Sequence, residues 1–163
     1  MSTSLTLKKV DYTNLNEVET LLDMLQMYAK DPMGGGGAIN QDVLNALPEA
    51  LKIREFMHSF LVFDSNNQPI AFANCIESFS TFSAKGVLNI HDFAVHPNSR
   101  GMGLSQFLLS GIADFAKSIG CTKLTLEVLE GNKIAIAAYK RAGFAGYELE
   151  PAMGKAMFWQ KYL

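Results

Sequence analysis

Apolar residues along this chain switch between helical and strand spacing, and each switch marks an element. Leu5–Val10 (LTLKKV) reads as a short first strand. Val18, Leu21, Leu22, Leu25, Tyr28 and Ala29 then recur at helical spacing, which predicts an amphipathic helix over Asn14–Ala29. The stretch DPMGGGG (Asp31–Gly37) ends it, because proline and a run of glycines cannot sustain a helix. A second helix is expected from about Gln41 to Phe56, with Pro48 either kinking it or opening its second half. The period then drops to that of strands. SFLVFD and PIAFANCIESF flank the turn SNNQP as a hairpin, and Gly86–His96 (GVLNIHDFAVH) forms a longer strand that stops at Pro97.

Leu104, Phe107, Leu108, Gly111, Ile112, Phe115 and Ile119 fall on one face of a third helix, which Gly120 closes. In KLTLEVL the sides alternate strictly: Leu124, Leu126 and Val128 on one, Lys123, Thr125 and Glu127 on the other. GNKIAIAAYKRAG reads as a short helix with Asn132 as its cap and Gly143 as its stop. FAGYELE and AMFWQKYL read as a closing antiparallel pair of strands. The order is strand, two helices, three strands, helix, strand, helix, two strands. It predicts a mixed α/β layer structure with a strand–loop–helix unit in its middle.

Composition narrows the class. The chain has 163 residues, enough for one domain with a real core, expected to span 1–163. With 48% hydrophobic and 18% charged residues it is too apolar for disorder. A net charge of -2 argues against a nucleic-acid binder held by a broad basic face. No apolar run approaches the roughly 20 residues of a membrane helix, and MSTSLTLKKVDYTN lacks a secretory pattern. Cys75 and Cys121 have no metal-ligand spacing and read as buried, reduced thiols. A cytoplasmic protein without a metal, a nucleic-acid partner or a membrane partner is expected.

The chemistry gathers at HPNSRGMGLSQFLL (His96–Leu109). Successive amides at a helix N-terminus form an anion site, and glycines let a phosphate approach the backbone closely. Gly101 and Gly103 fit that role, Ser105 continues it and Arg100 adds charge; a plain tight turn would also use the glycines. A P-loop would need G-x-x-x-x-G-K-[ST], which the sequence lacks. A dinucleotide fingerprint would need glycine at position 106, where Gln106 stands.

RGMGLS resembles the [RQ]-x-x-G-x-[GA] motif of the GNAT N-acetyltransferase superfamily, with Ser105 at the final small position. NKIAIAAYKRAGF (Asn132–Phe144) resembles its N-x-x-A-x-x-x-Y-x-x-x-G-F motif throughout. Within the superfamily, FSTF and LNIHDFAVHP are similar to diamine (spermidine/spermine) and related small-amine acetyltransferases, which commonly carry glutamate where this chain has His91. The resemblance implies a central, largely antiparallel twisted sheet of about seven strands flanked by about four helices. It also implies acetyl-CoA as co-substrate, a small-molecule amine as acceptor, and allows a homodimer.

The resemblance further implies roles. Phe93, Ala94 and Val95 would line the pantetheine arm. Arg100, Gly101, Met102, Gly103, Leu104, Ser105 and Gln106 would hold the pyrophosphate, with Asn132 and Ala135 contacting the cofactor from the last helix. Tyr139 would be the general acid at the sulfur, since a phenol of ordinary pKa near 10 is protonated at neutral pH. An aromatic ring merely packed under the sheet is the plainer reading of Tyr139. His91 is the candidate base, against an ordinary structural strand histidine. Asp92 is expected to share a side with Leu88, Ile90 and Ala94, opposite His91. Asp31, Glu77, Asp92 and Glu127 are candidates to attract a cationic substrate, and the Gly34–Gly37 loop is a candidate lid over the acceptor pocket. The rival to an enzyme is a silent acyl-CoA-binding sensor or scaffold.

Overall fold

A computed structural model describes residues 4–163; the first three residues of the stretch read for a secretory pattern lie outside it. β1 (Thr6–Lys9), β2 (Met57–Phe63), β3 (Pro69–Ser80), β4 (Lys85–Val95) and β5 (Cys121–Leu126) form one sheet in chain order. Neighbours from β1 to β4 are antiparallel. β5 lies parallel to β4, because α3 (Leu104–Ser118) carries the chain back across one face between them.

α1 (Leu15–Ala29) and α2 (Gln41–Lys52) cover the opposite face. On that side Val18, Leu21 and Met24 pack against Leu61, Phe72 and Ala94. On the other, Leu104, Leu108 and Ile112 of α3 pack against Phe60, Val62, Leu88 and Ile90. β2 and β3 therefore bury both faces, which is why their sequences are nearly continuous apolar runs. α4 (Lys133–Arg141) lies beside α3, tied by the Gln106 side-chain amide donating to the Ala138 carbonyl at 2.9 Å.

The expected punctuation is used at three places: Asn132 accepts a backbone amide as the cap of α4, and Gly120 and Gly143 take positive φ just past α3 and α4. Asn14, expected as the first helical residue, caps α1 instead. α2 ends four residues before the expected Phe56, in successive turns through Arg54 and Met57. β5 ends at Leu126 although alternation continues to Val128, because its ladder with β4 ends at the Ile90–Leu126 pair.

Two expectations fail. The sheet among the described residues has five strands rather than seven, and FAGYELE and AMFWQKYL form none. Pro151 and Gly154 interrupt that stretch, and its backbone bonds run only within itself, Met153 N–H to Glu150 and Gly154 N–H to Pro151. A strand needs a neighbour, and the segment has none among the described residues. The second failure is the face of Asp92. Asn74 pairs with Asp92 but Cys75 pairs with Ile90, so His91 is an extra, bulged residue. The bulge reverses the alternation: Leu88 and Ile90 face α3, while Ala94, and Asp92 with it, face α1.

Candidate active site

The β4–β5 ladder stops at Ile90 and Leu126, but β4 runs on to Val95 with β3 on one side and, among the described residues, no strand on the other. This leaves an opening beside the second half of β4. Phe93 and Val95 lie on this half of the strand, partly buried against the α3-side core. Tyr139 of α4 meets Phe93 edge-on at 5.8 Å and Phe144 at 5.9 Å. Burial pushes the Tyr139 phenol up to about 12, with Tyr28 adding to the rise. No hydrogen bond holds its hydroxyl, so among the described residues it meets no protein acceptor.

The amides expected to bind an anion are free. Gly101 (φ 82) and Gly103 (φ 76) are left-handed, and Gly103 precedes α3 without any side-chain cap. Among the described residues the amides of Gly101 to Ser105 find no protein acceptor, whereas that of Gln106 already donates to the Gly103 carbonyl at 3.1 Å. Gln106 thus differs from the other five: its amide already serves the first turn of α3 and its side chain ties that helix to α4. A Cβ built on Gly101 or Gly103 meets nothing within 4 Å. Donors, dipole and open space converge there, which suits the pyrophosphate of acetyl-CoA.

Arg100 is otherwise engaged. Its Nη2 donates to Asp31 Oδ2 at 2.9 Å and its Nε to the Val95 carbonyl at 3.3 Å. The guanidinium also holds the Asp31 carboxyl below its ordinary range. Asp31 is therefore a clamp between two loops rather than a free carboxylate awaiting substrate. The glycine-rich loop is folded as well: Gly34 and Gly36 donate to the Asp31 carbonyl and Gly37 to that of Ala29. Gln26 grips its far end through both backbone groups of Ile39. On α4, Asn132 Oδ1 accepts the Ala135 amide at 3.1 Å, so Ala135 N–H is committed to the cap.

The remaining carboxylates divide between the two faces. Glu77 pairs with His58 at 3.2 Å on the α3 side, where the His58 ring meets Phe115 edge-on at 4.9 Å. It is separated from the other candidates. Glu127 accepts from Asn89 Nδ2 at 3.2 Å, beside Thr125 at 3.1 Å. Asp92 lies on the α1 side at the end of a chain of donors that the sequence reading did not identify. The Asn74 side-chain amide donates to Asp92 Oδ2 at 2.9 Å, and Ser59 donates to Asn74 Oδ1 at 2.6 Å. Ser59 has then spent its only proton, so Tyr12 donates to it at 2.7 Å. Ser59 and Asn74 are buried, an uncommon place for them without this pairing.

Tyr28 was also missed. It packs edge-on against Phe72 at 6.0 Å, and its phenol is raised first by burial, then by the charges of Asp92 and Asp31. Only its spacing on α1 marked Tyr28, and that spacing reads as core. His91, lifted out by the bulge, is exposed at the same end of β4.

Comparison with known proteins bears on this geometry. Residues 21–144 match the model of the acetyltransferase (GNAT) family. Streptothricin acetyltransferase of Streptomyces lavendulae is 41% identical over 47% of this chain and 39% of its own. Bovine (Bos taurus) thialysine N-epsilon-acetyltransferase is 35% identical over 40% of this chain and 38% of its own. The chain thus spans about two fifths of the length of the curated relatives it matches. Among solved structures, a probable acetyltransferase superposes with a TM-score of 0.81 at 17% identity, over 96% of this chain and 98% of that one. An aminoglycoside acetyltransferase from a soil metagenome, solved with sisomicin, gives 0.77 at 14% identity over 98% and 97%. At such identities these two establish the fold.

Proposed function

This chain belongs to the GNAT acetyltransferase family, and from that premise we propose that it transfers the acetyl group of acetyl-CoA to a primary amine of a small basic molecule. The observation that carries the reading is Tyr139, an unpaired phenol held against Phe93 at the opening beside β4. A side chain kept there only for packing would serve as well without its hydroxyl.

In this reading the free amides from Gly101 to Ser105 hold the pyrophosphate, and Phe93, Ala94 and Val95 offer backbone to the pantetheine arm. The acetyl thioester supplies the acyl carbon. Attack by the amine nitrogen forms a C–N bond while the C–S bond breaks, so one proton must leave nitrogen and one must reach sulfur. Tyr139 keeps a proton at Oη for the departing sulfur. His91, exposed on the bulge, takes the nitrogen's proton directly or through water. Asp92, fixed by Asn74, and Glu127, fixed by Asn89, attract a cationic acceptor from the α1 side. The names of the relatives, which act on streptothricin, thialysine and aminoglycosides, support an acceptor of this class.

The test pairs binding with turnover. The protein is titrated by calorimetry with acetyl-CoA and, separately, ATP, then assayed for free CoA thiol with diamines, lysine analogues and aminoglycosides. Acetyl-CoA binding with amine-dependent thiol release supports the proposal. Acetyl-CoA binding without release from any amine points to a silent acyl-CoA-binding module. ATP binding with no response to acetyl-CoA overturns the reading altogether.

A further inference from the structure

Asp92 and Glu127 are not bare carboxylates. Each carries an asparagine amide from the sheet, and that amide limits what else can reach its oxygens. Asn74 Nδ2 donates to Asp92 Oδ2 at 2.9 Å. The Asn74 amide is held from turning over, because its Oδ1 accepts the Ser59 hydroxyl at 2.6 Å and Tyr12 donates to Ser59 in turn at 2.7 Å. At Glu127 one Asn89 Nδ2 straddles the whole group, 3.2 Å from Oε1 and 3.3 Å from Oε2, and also reaches Thr125 Oγ1 at 3.1 Å. Asp92 is half-buried and Glu127 exposed, so a small molecule can approach both.

A free carboxylate is a fork of two oxygens. A guanidinium matches it with two parallel N–H bonds, whereas an ammonium is a compact charge that one oxygen satisfies. With Asp92 Oδ2 taken and both Glu127 oxygens spanned, neither side chain offers an open pair. The chain contains its own example of the consequence. Met33 N–H occupies Asp31 Oδ1 at 2.9 Å, and the Arg100 guanidinium then meets Asp31 through Nη2 on Oδ2 alone, sending Nε to the Val95 carbonyl.

Resting on the reading that these two carboxylates meet the charge of the acceptor, we propose that Asn74 and Asn89 are specificity-determining residues. They favour an acceptor whose second cation is an ammonium over one whose second cation is a guanidinium. An ammonium places one N–H on Asp92 Oδ1, which no donor among the described residues occupies, and keeps the rest in water. A guanidinium there makes one bond where a fork makes two, and its second N–H meets the asparagine amide, itself a donor.

The test uses three acceptors of one chain length: an unbranched diamine, the aminoalkylguanidine, and the diamine whose far nitrogen carries two methyl groups. Thiol release from acetyl-CoA gives kcat/KM for each. Losing one of two charge-assisted bonds sets the wild-type preference for diamine over guanidine at about tenfold. Asn89→Ala, and separately Asn74→Ala, should narrow that ratio several-fold, and in Asn89→Ala the guanidine KM should fall outright. A damaged fold does not produce such a gain, so the reading survives any loss of stability at buried Asn74. The dimethylated diamine, bulky but unable to form a fork, should gain nothing in either variant. Narrowing in one variant assigns the selection to that carboxylate. Equal wild-type kcat/KM for diamine and guanidine would overturn the proposal while leaving the transferase intact. So would an unchanged ratio in both variants, or an equal gain for the dimethylated diamine, which would make room rather than the fork decisive. Thiol release from none of the three would refute a transferase acting on such amines, and the proposal with it.

Discussion

Replacing Tyr139 by phenylalanine removes one oxygen and keeps the ring, and the structure sets what each change should do. The edge-on contacts with Phe93 and Phe144 belong to the ring and survive. The hydroxyl has no protein partner, so no internal hydrogen bond is lost and a desolvation cost is relieved. Folding stability should stay within about 0.5 kcal/mol of wild type, roughly 1–2 °C in melting temperature for a chain of this size. Turnover should fall by about 10²–10⁴-fold if the phenol is the general acid, with acetyl-CoA affinity unchanged. Alkaline pH offers a second readout. Burial raises the folded phenol to about 12, so the folded state holds this proton more tightly than the unfolded chain. The resulting stabilisation is complete below the ordinary phenol value near 10 and disappears as pH rises through the folded value. Across that window wild type should lose stability relative to Tyr139→Phe, while its activity retains a protonated acid throughout the neutral range. Thiol release by both proteins from pH 6 upward, alongside thermal melts from pH 9 to 12, makes the comparison. A variant with wild-type kcat at every pH would remove Tyr139 as the acid.

Three further perturbations address the other parts of the site. Gly103→Val should weaken acetyl-CoA binding at least tenfold: the branched side chain enters open space beside the free amides, while left-handed backbone costs the fold only about 1–2 kcal/mol. Calorimetry with melting measures both, and a loss of affinity no greater than that explained by unfolding would reduce the loop to a plain turn. Asn74→Leu cuts the donor chain to Asp92 and should raise KM for cationic amines several-fold with KM for acetyl-CoA unmoved, at a stability cost of about 1–3 kcal/mol; equal effects on charged and neutral acceptors would refute a role for Asp92 in charge recognition. His91→Ala should flatten the acidic limb of the kcat/KM profile, and an unchanged profile would leave water or another group as the base.

How much of this was legible depends on whether the deciding force is local. Caps and stops are local, and Asn132, Gly120 and Gly143 all act as their sequence positions foretold. The shape of the loop before α3 was legible for the same reason: glycines ahead of an apolar helix favour left-handed backbone. The bulge at His91 depends on how β3 and β4 settle against each other, and no residue in LNIHDFAV announces an extra position. That single residue decides which face Asp92 presents, and so which carboxylates can act together. Charge alone had grouped Asp31, Glu77, Asp92 and Glu127 as candidates to attract a cationic substrate; register, an arginine clamp and a histidine pair separate them. The buried polar chain was equally hidden, since Tyr12, Ser59 and Asn74 come from three distant segments, each unremarkable alone. The carboxyl-terminal strands illustrate the same limit from the other side. AMFWQKYL read as a strand in sequence, but a strand is completed by its neighbour, and those eight residues have none among the described residues. Local chemistry names candidates, and pairing selects among them.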